Sequence, residues 1–143
     1  MKLQQVSVFL ENKKGRLAEV TGLIADKKIN IRALALADTA DFGVLRLIVN
    51  DPDRCFEALK AAGFVAQRTD VIAVEVDDKP GGLKRVLDLF DRHDVNIEYM
   101  YAFVEKKSDK AIVIIRIDQP ERAIEVLGSE GVQVLSADVV SKL

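Results

Sequence analysis

Gly15-Arg16-Leu17-Ala18-Glu19-Val20, followed by Asn30-Ile31, is written again as Gly81-Gly82-Leu83-Lys84-Arg85-Val86 with Asn96-Ile97, 66 residues further along. Pro52-Asp53-Arg54 and Gly63 return as Pro120-Glu121-Arg122 and Gly131, now 68 residues on. The extra two residues fall between Asp38 and Gly43, a segment that is longer in the second copy, Glu105 to Lys110. A hairpin tip tolerates such an insertion at little entropic cost. A repeat that keeps its loop glycines and its apolar helix positions is a duplicated folding unit, with copies at residues 1–70 and 71–143.

Within the first copy, Val6, Val8 and Leu10 alternate with Gln5, Ser7 and Phe9, which predicts a half-buried strand. Glu11 to Gly15 is a polar break. Leu17, Val20, Leu23 and Ile24 then recur at three- and four-residue steps, so they share one helix face, closed by Lys27 and Lys28. Ile29–Ala37 and Phe42–Val49 are β-prone, and Asp38-Thr39-Ala40-Asp41 between them reads as a hairpin tip. Pro52 opens a second helix with Phe56 and Leu59 inward and Ala62-Gly63 as its stop. Phe64–Arg68 is a final strand.

The second copy agrees at each step. Val71–Val76 is its first strand, Asp78–Gly82 its break, and Leu83, Val86, Leu89 and Phe90 its helix face. Asn96–Val104 and Ala111–Ile117 are its central strands. Ile124 and Leu127 line its second helix, and Val132–Leu135 is its closing strand. Only Thr69-Asp70 separates the copies, with no Gly/Ser linker. Each copy reads βαββαβ, which predicts an α+β chain of two ferredoxin-like repeats, antiparallel sheets with helices on one face.

Units of about 70 residues lie near the lower limit for an independent core, so each is expected to lean on a neighbour. Aromatic residues make up 6% and Trp is absent, so the core is aliphatic. A net charge of −2 offers no general attraction to nucleic acid or anionic lipid. The single cysteine, Cys55, excludes an intrachain disulfide and a CxxC metal or redox site. The N-terminus has no apolar leader and no run approaches membrane-spanning length, so a soluble, cytoplasmic protein is expected.

Ferredoxin-like sheets host many functions, and the residues must decide between them. Tyr99, Tyr101 and Phe103 alternate on one strand as an RNA-binding sheet requires, but the first copy has Ala33, Ala35 and Ala37 there. Small residues on that face suit a packed interface. His93, the one histidine, lies near a helix end, and Cys55 beside Phe56 reads as a small buried hydrophobe. Ser7 has no histidine positioned to activate it, and no metal-ligand spacing occurs. No enzyme, cofactor or metal site is expected.

The strand-to-helix loop is the remaining candidate. It offers Asn12 or Asp78, then Gly15 or Gly81-Gly82, then a helix N-terminus. Backbone N–H groups there suit a carboxylate, and the side-chain oxygen of Asn12 or Asp78 suits an ammonium. Two readings are open: a zwitterion site, or a loop in which Asn12 and Asp78 only cap and the glycines only turn.

Asn-Lys-Lys-Gly-Arg-Leu…Val…Ile-Asn-Ile, repeated as Asp-Lys-Pro-Gly-Gly-Leu…Val…Val-Asn-Ile, resembles the ACT domain family of amino-acid-sensing regulatory modules, as a tandem pair over essentially the whole chain. The second copy carries the family's Pro80-Gly81, where the first has Lys14-Gly15 and so loses the preset φ. The resemblance implies units packed side by side in an eight-stranded sheet with an amino acid bound between them. Carried over by position, the ligand loop is Asn12, Lys14, Gly15, Arg16 and Leu17, with Asp78, Gly81, Gly82 and Leu83 in the second copy. Asn30-Ile31 and Asn96-Ile97 would begin the strand that flanks the pocket. Arg16 adds a bidentate carboxylate donor, or is a solvated helix residue, whereas Asp78 repels a carboxylate. The first loop is therefore expected to be the better site. The implied protein is a non-catalytic, amino-acid-binding regulator that forms a homodimer. The alternative is a regulatory subunit of an amino-acid biosynthetic enzyme, acetolactate-synthase-like, acting by protein contact.

Overall fold

The computed structural model describes residues 1–38, 41–104 and 109–143. Thr39, Ala40 and Glu105 to Ser108, which belong to the two expected hairpin tips, lie outside the described residues. By contacts the chain forms two compact units, Gln4–Thr69 with Lys142, and Met1–Leu3, Asp70–Ser141 and Leu143.

The first unit runs β1 (Leu3–Glu11), α1 (Arg16–Asp26), β2 (Ile31–Asp38), β3 (Phe42–Val49), α2 (Pro52–Ala61) and the start of β4 (Val65–Asp77). Its strands lie in the order β2-β3-β1-β4, the antiparallel ferredoxin-like arrangement expected from the pattern. Val6, Val8 and Leu10 of β1 and Leu45, Leu47 and Val49 of β3 pack with Val20 and Ile24 of α1 and Cys55 and Leu59 of α2. Val6, Val8, Leu10, Val20, Ile24 and Leu59 are inward as the period-2 and period-3.6 patterns predict, whereas Leu23 and Phe56 are partly buried and Leu17, at the start of α1, is exposed.

The second unit continues through α3 (Gly82–Arg92), β5 (Ile97–Val104), β6 (Lys110–Ile117), α4 (Pro120–Ser129), β7 (Val134–Leu135) and α5 (Ala137–Ser141). Its strand order is β4-β6-β5, with β7 paired to β4. Ile72, Val74 and Val76 of β4 pack with Val86, Leu89 and Phe90 of α3 and Ala123, Val126 and Leu127 of α4.

The structure departs from the sequence pattern in three places. Phe64–Arg68 and Val71–Val76 are one strand, β4, because Thr69 and Asp70 keep extended backbone instead of turning. The closing strand of the second copy shrinks to Val134–Leu135 and is followed by a short helix that periodicity does not reveal. The edge strands each carry a register shift, between Ile31 and Ala33 in β2 and between Ile97 and Tyr99 in β5. One extra residue inverts the alternation beyond it. Leu34 and Leu36 therefore oppose Leu47 and Leu45, the helix-side residues of β3, and Ala33, Ala35 and Ala37 take the other face.

The repeated Pro-x-Arg has a visible purpose. Arg54 donates to the carbonyl of Lys27 at the end of α1 (2.8 Å), and Arg122 donates to the carbonyl of His93 at the end of α3 (2.6 Å). A guanidinium satisfies an orphan carbonyl at the negative end of each helix. The next residues, Lys28 and Asp94, both have left-handed backbone (φ 59° and 55°). The chain thus repeats its helix stops as faithfully as its helix faces.

Candidate functional site

The two strand-to-helix loops begin alike. Asn12 N–H donates to the carbonyl of Asp41, and Asp78 N–H donates to that of Asp109, both at 2.9 Å. Gly15 and Gly81 sit in the left-handed region, φ 90° and 87°, which an L side chain adopts at a cost. The N-cap residues of α1 and α3 are these two glycines, which have no side chain to accept from the first turn. Uncapped helix N-termini present N–H groups to an anion.

Beyond the glycines the loops diverge. At Arg16, the first residue of α1, the guanidinium lies 3.1 Å from Glu19 and 3.6 Å from Glu11, both exposed carboxylates. Lys13 also pairs with Glu11, at 2.8 Å. The hydrogen bond from Lys13, with its charge and that of Arg16, holds the Glu11 carboxyl below its usual range and so ionised at neutral pH. At the equivalent position α3 begins with buried Gly82. A Cβ there would stand 1.9 Å from the Asp77 carbonyl oxygen, so the second loop closes on itself. Lys110 forms an ion pair with Asp77 across the same opening.

Arg16 separates two clefts. The smaller, about 80 Å³, is lined by Leu10, Glu11, Asn12, Lys13, Arg16, Leu17, Leu36 and Gly43. The larger, about 240 Å³, is lined by Glu11, Arg16 and Glu19 together with Phe9, Phe42 and Phe64, Glu11 and Phe42 being cross-strand neighbours. Its counterpart in the second unit holds about 100 Å³ and is lined by Glu75, Asp77, Gly82, Arg85, Lys110 and Val132 among others. The three phenylalanines thus become Glu75, Lys110 and Val132.

Of the residues expected at the site, the structure gathers Asn12, Arg16 and Leu17 around the small cleft, beside Gly15. Lys14 is exposed and lines neither first-unit cleft. Asp78, Gly81, Gly82 and Leu83 form the tightened second loop, of which Gly82 alone lines the second-unit cleft. Asn30-Ile31 and Asn96-Ile97 are not brought to these loops. Asn30 exchanges hydrogen bonds with Asn50 at the far end of β2 (3.0 and 3.1 Å), and Ile97 pairs with Ile117 at the far end of β5. Five residues of strand, about 16 Å, separate Ile31 from the cleft-lining Leu36. Sequence reasoning missed Glu11, Lys13, Leu36 and Gly43, and the phenylalanine cleft entirely. Aligning the copies beyond the glycine loop, where Phe9 faces Glu75 and Phe42 faces Lys110, carries the signal.

Among the described residues no group of three His, Cys, Asp or Glu is placed to hold a metal ion. Cys55 is fully buried, and burial pushes its thiol up to about 11, the condition of an inert core residue. No helix among the described residues is long and apolar enough to cross a membrane, which says nothing of a β-barrel.

Comparison with curated proteins yields no match. Among solved structures, protein BT0572 from Bacteroides thetaiotaomicron is 44% identical, the alignment covering 100% of this chain and 98% of that one, with a TM-score of 0.95. The ligand-free regulatory subunit of aspartate kinase from Thermus thermophilus is 16% identical over 88% of this chain and 91% of its own, with a TM-score of 0.65. E. coli aspartokinase III in complex with lysine and aspartate is 16% identical over 90% of this chain and 31% of its own, with a TM-score of 0.53. At such identity the two kinase structures share the fold with this chain and no more. Residues 1–143 match the family model described as an ACT domain pair, and the chain belongs to that family.

Proposed function

We propose that this chain, with ACT units at residues 1–70 and 71–143, is a non-catalytic regulatory protein of the cytoplasm that binds an amino acid at the first loop. The observation that carries the reading is the small cleft where Asn12, Arg16 and Leu17 meet beside an α-helix N-terminus without a side-chain cap. Arg16 and the helix N–H groups suit the carboxylate, and Asn12 with Glu11 suits the ammonium. Leu36 lines the same cleft from β2, an edge strand on which Leu34 and Leu36 are 53% and 52% exposed. A second copy docking along that edge would cover both leucines and complete the pocket, so ligand and homodimer would stabilise each other. The second loop, closed by Gly82 and by the Lys110–Asp77 pair, is structural on this reading.

Thermal denaturation with each of the twenty amino acids tests the proposal. A selective rise in midpoint is expected, and Asn12→Ala should abolish it while leaving the unliganded midpoint in place. No shift with any amino acid would sink the sensing role, and an unchanged shift in Asn12→Ala would remove this loop as the site.

The exposed leucines of β2 also favour a second reading, a regulatory subunit of an amino-acid biosynthetic enzyme, where protein contact is primary. The Thermus thermophilus protein is itself described as such a subunit. Co-purification with a defined biosynthetic activity supports it. Elution alone, at homodimer size, refutes it.

A further inference from the structure

Within one chain, the cleft that would receive the charged end of an amino acid offers little room for a side chain. A cavity of about 150 Å³ holds benzene, whereas the Asn12 cleft offers about 80 Å³. Its neighbour across Arg16 offers about 240 Å³, just below the range of drug-sized ligand sites. Three phenylalanines line that neighbour, and Phe9 and Phe42 are 40% and 54% exposed. The second unit carries the same cleft with its phenylalanines replaced by Glu75, Lys110 and Val132 and its space reduced to about 100 Å³. Sheet-building does not require the difference, because both units hold the same fold around different linings.

We infer that the larger cleft is a side-chain pocket, and that the first unit selects a free α-amino acid with a large apolar side chain, aromatic or branched aliphatic. The inference rests on the amino-acid-binding reading of the same loop. Charge complementarity supports this occupant over a neutral apolar molecule. Arg16 is already paired with Glu11 and Glu19, so a zwitterion exchanges partners without leaving a charge alone. Its carboxylate takes the guanidinium and the released glutamate takes its ammonium. Both glutamates are exposed, and exposed pairs open at little cost. The side chain then lies against Phe9, Phe42 and Phe64, where aromatic faces also attract the adjoining ammonium.

The test is binding measured by calorimetry with phenylalanine, leucine, serine, aspartate and lysine, on the full chain and on Phe42→Ala and Phe42→Lys. Phe42 is half exposed, so both variants should fold, and Phe42→Lys imports the residue that the second unit uses at this place. Phenylalanine or leucine should bind at least ~10-fold tighter than serine. Phe42→Ala should weaken that binding ~10-fold or more, and Phe42→Lys should abolish it by pairing with Glu11 as Lys110 pairs with Asp77. Binding of serine, aspartate or lysine in preference to the apolar pair would overturn the side-chain pocket and leave the amino-acid reading standing. Absence of all binding would overturn both. Unchanged affinity in Phe42→Lys, or a Phe42 variant that alters only the oligomeric state, would assign the phenylalanines to a protein contact instead.

Discussion

Gly82→Ala should be among the most damaging conservative substitutions in the chain. The added methyl would lie 1.9 Å from the Asp77 carbonyl oxygen and 2.9 Å from its carbon, and real Cβ atoms do not approach within 3.0 Å. The obstacle is backbone, so no rotamer change relieves it, and α3 and the end of β4 must part by more than 1 Å. Asp77 is held in register with Lys110 and by their ion pair, and α3 is held by buried Val86, Leu89 and Phe90. Overpacking typically costs about 1–3 kcal/mol, and a contact with backbone belongs at the upper end. The gain in helix propensity on replacing Gly by Ala, up to about 1 kcal/mol mid-helix, is small at a first helical residue. A net loss of about 2–3 kcal/mol follows, or roughly 6–15 °C in midpoint. Urea denaturation followed by circular dichroism measures it. Gly22→Ala is the control, because Gly22 lies inside α1 with nothing within 4 Å of the place its new methyl would take, and it should stabilise by about 0.5–1 kcal/mol. A Gly82→Ala protein as stable as the parent would refute the close approach and with it the closed second loop.

Three further outcomes are expected. Arg54→Met and Arg122→Met should each cost about 0.5–1.5 kcal/mol in chemical denaturation, since each leaves a helix-end carbonyl without its guanidinium, and two neutral substitutions would show these bonds to be ornamental. Cys55 should resist a thiol reagent at pH 8 in native protein and react at the rate of unfolding, whereas rapid stoichiometric labelling would contradict its burial. The hydrogen bond and charge of Lys110 lower the carboxyl of Asp77, and those of Lys2 lower that of Glu121. A lowered folded-state value adds stability above the ordinary carboxylate range, lost as pH falls through the folded value. Denaturation midpoints should therefore fall on acidification below about pH 4, and less steeply in Lys110→Met than in the parent. An identical slope in that variant would remove the Asp77 pair from the acid response.

Much of the fold was legible because its signals are local. Val6-Val8-Leu10 and Val20-Ile24 meet each other in the core as their spacing requires, and the glycines at 15, 63, 81 and 131 all take the left-handed backbone for which glycine is suited. The candidate site was legible only in part. Asn12, Arg16 and Leu17 converge, being near neighbours in sequence on one turn. Asn30 and Ile31 open the strand that flanks the cleft, β2, but at its far end, where Asn30 is tied to Asn50 and only Leu36 of that strand reaches the cleft. The phenylalanine cleft is not legible in the sequence because its walls come from four separate segments, at residues 9–11, 16–19, 42 and 62–65.

The sequence by itself determined the duplication, the βαββαβ order and the inward faces, since each follows from periodicity within a dozen residues or from a repeat visible by eye. Tertiary structure alone decided that β4 runs unbroken through Asp70, that one extra residue in β2 turns Leu34 and Leu36 to the helix side, and that the first loop stays open while the second closes. Those outcomes depend on strand register and on partners distant in the chain, such as Lys110 reaching Asp77 across 33 residues. Local pattern fixes what a segment forms. Which segments then meet, and what space they leave between them, is set by packing that no single stretch of residues contains.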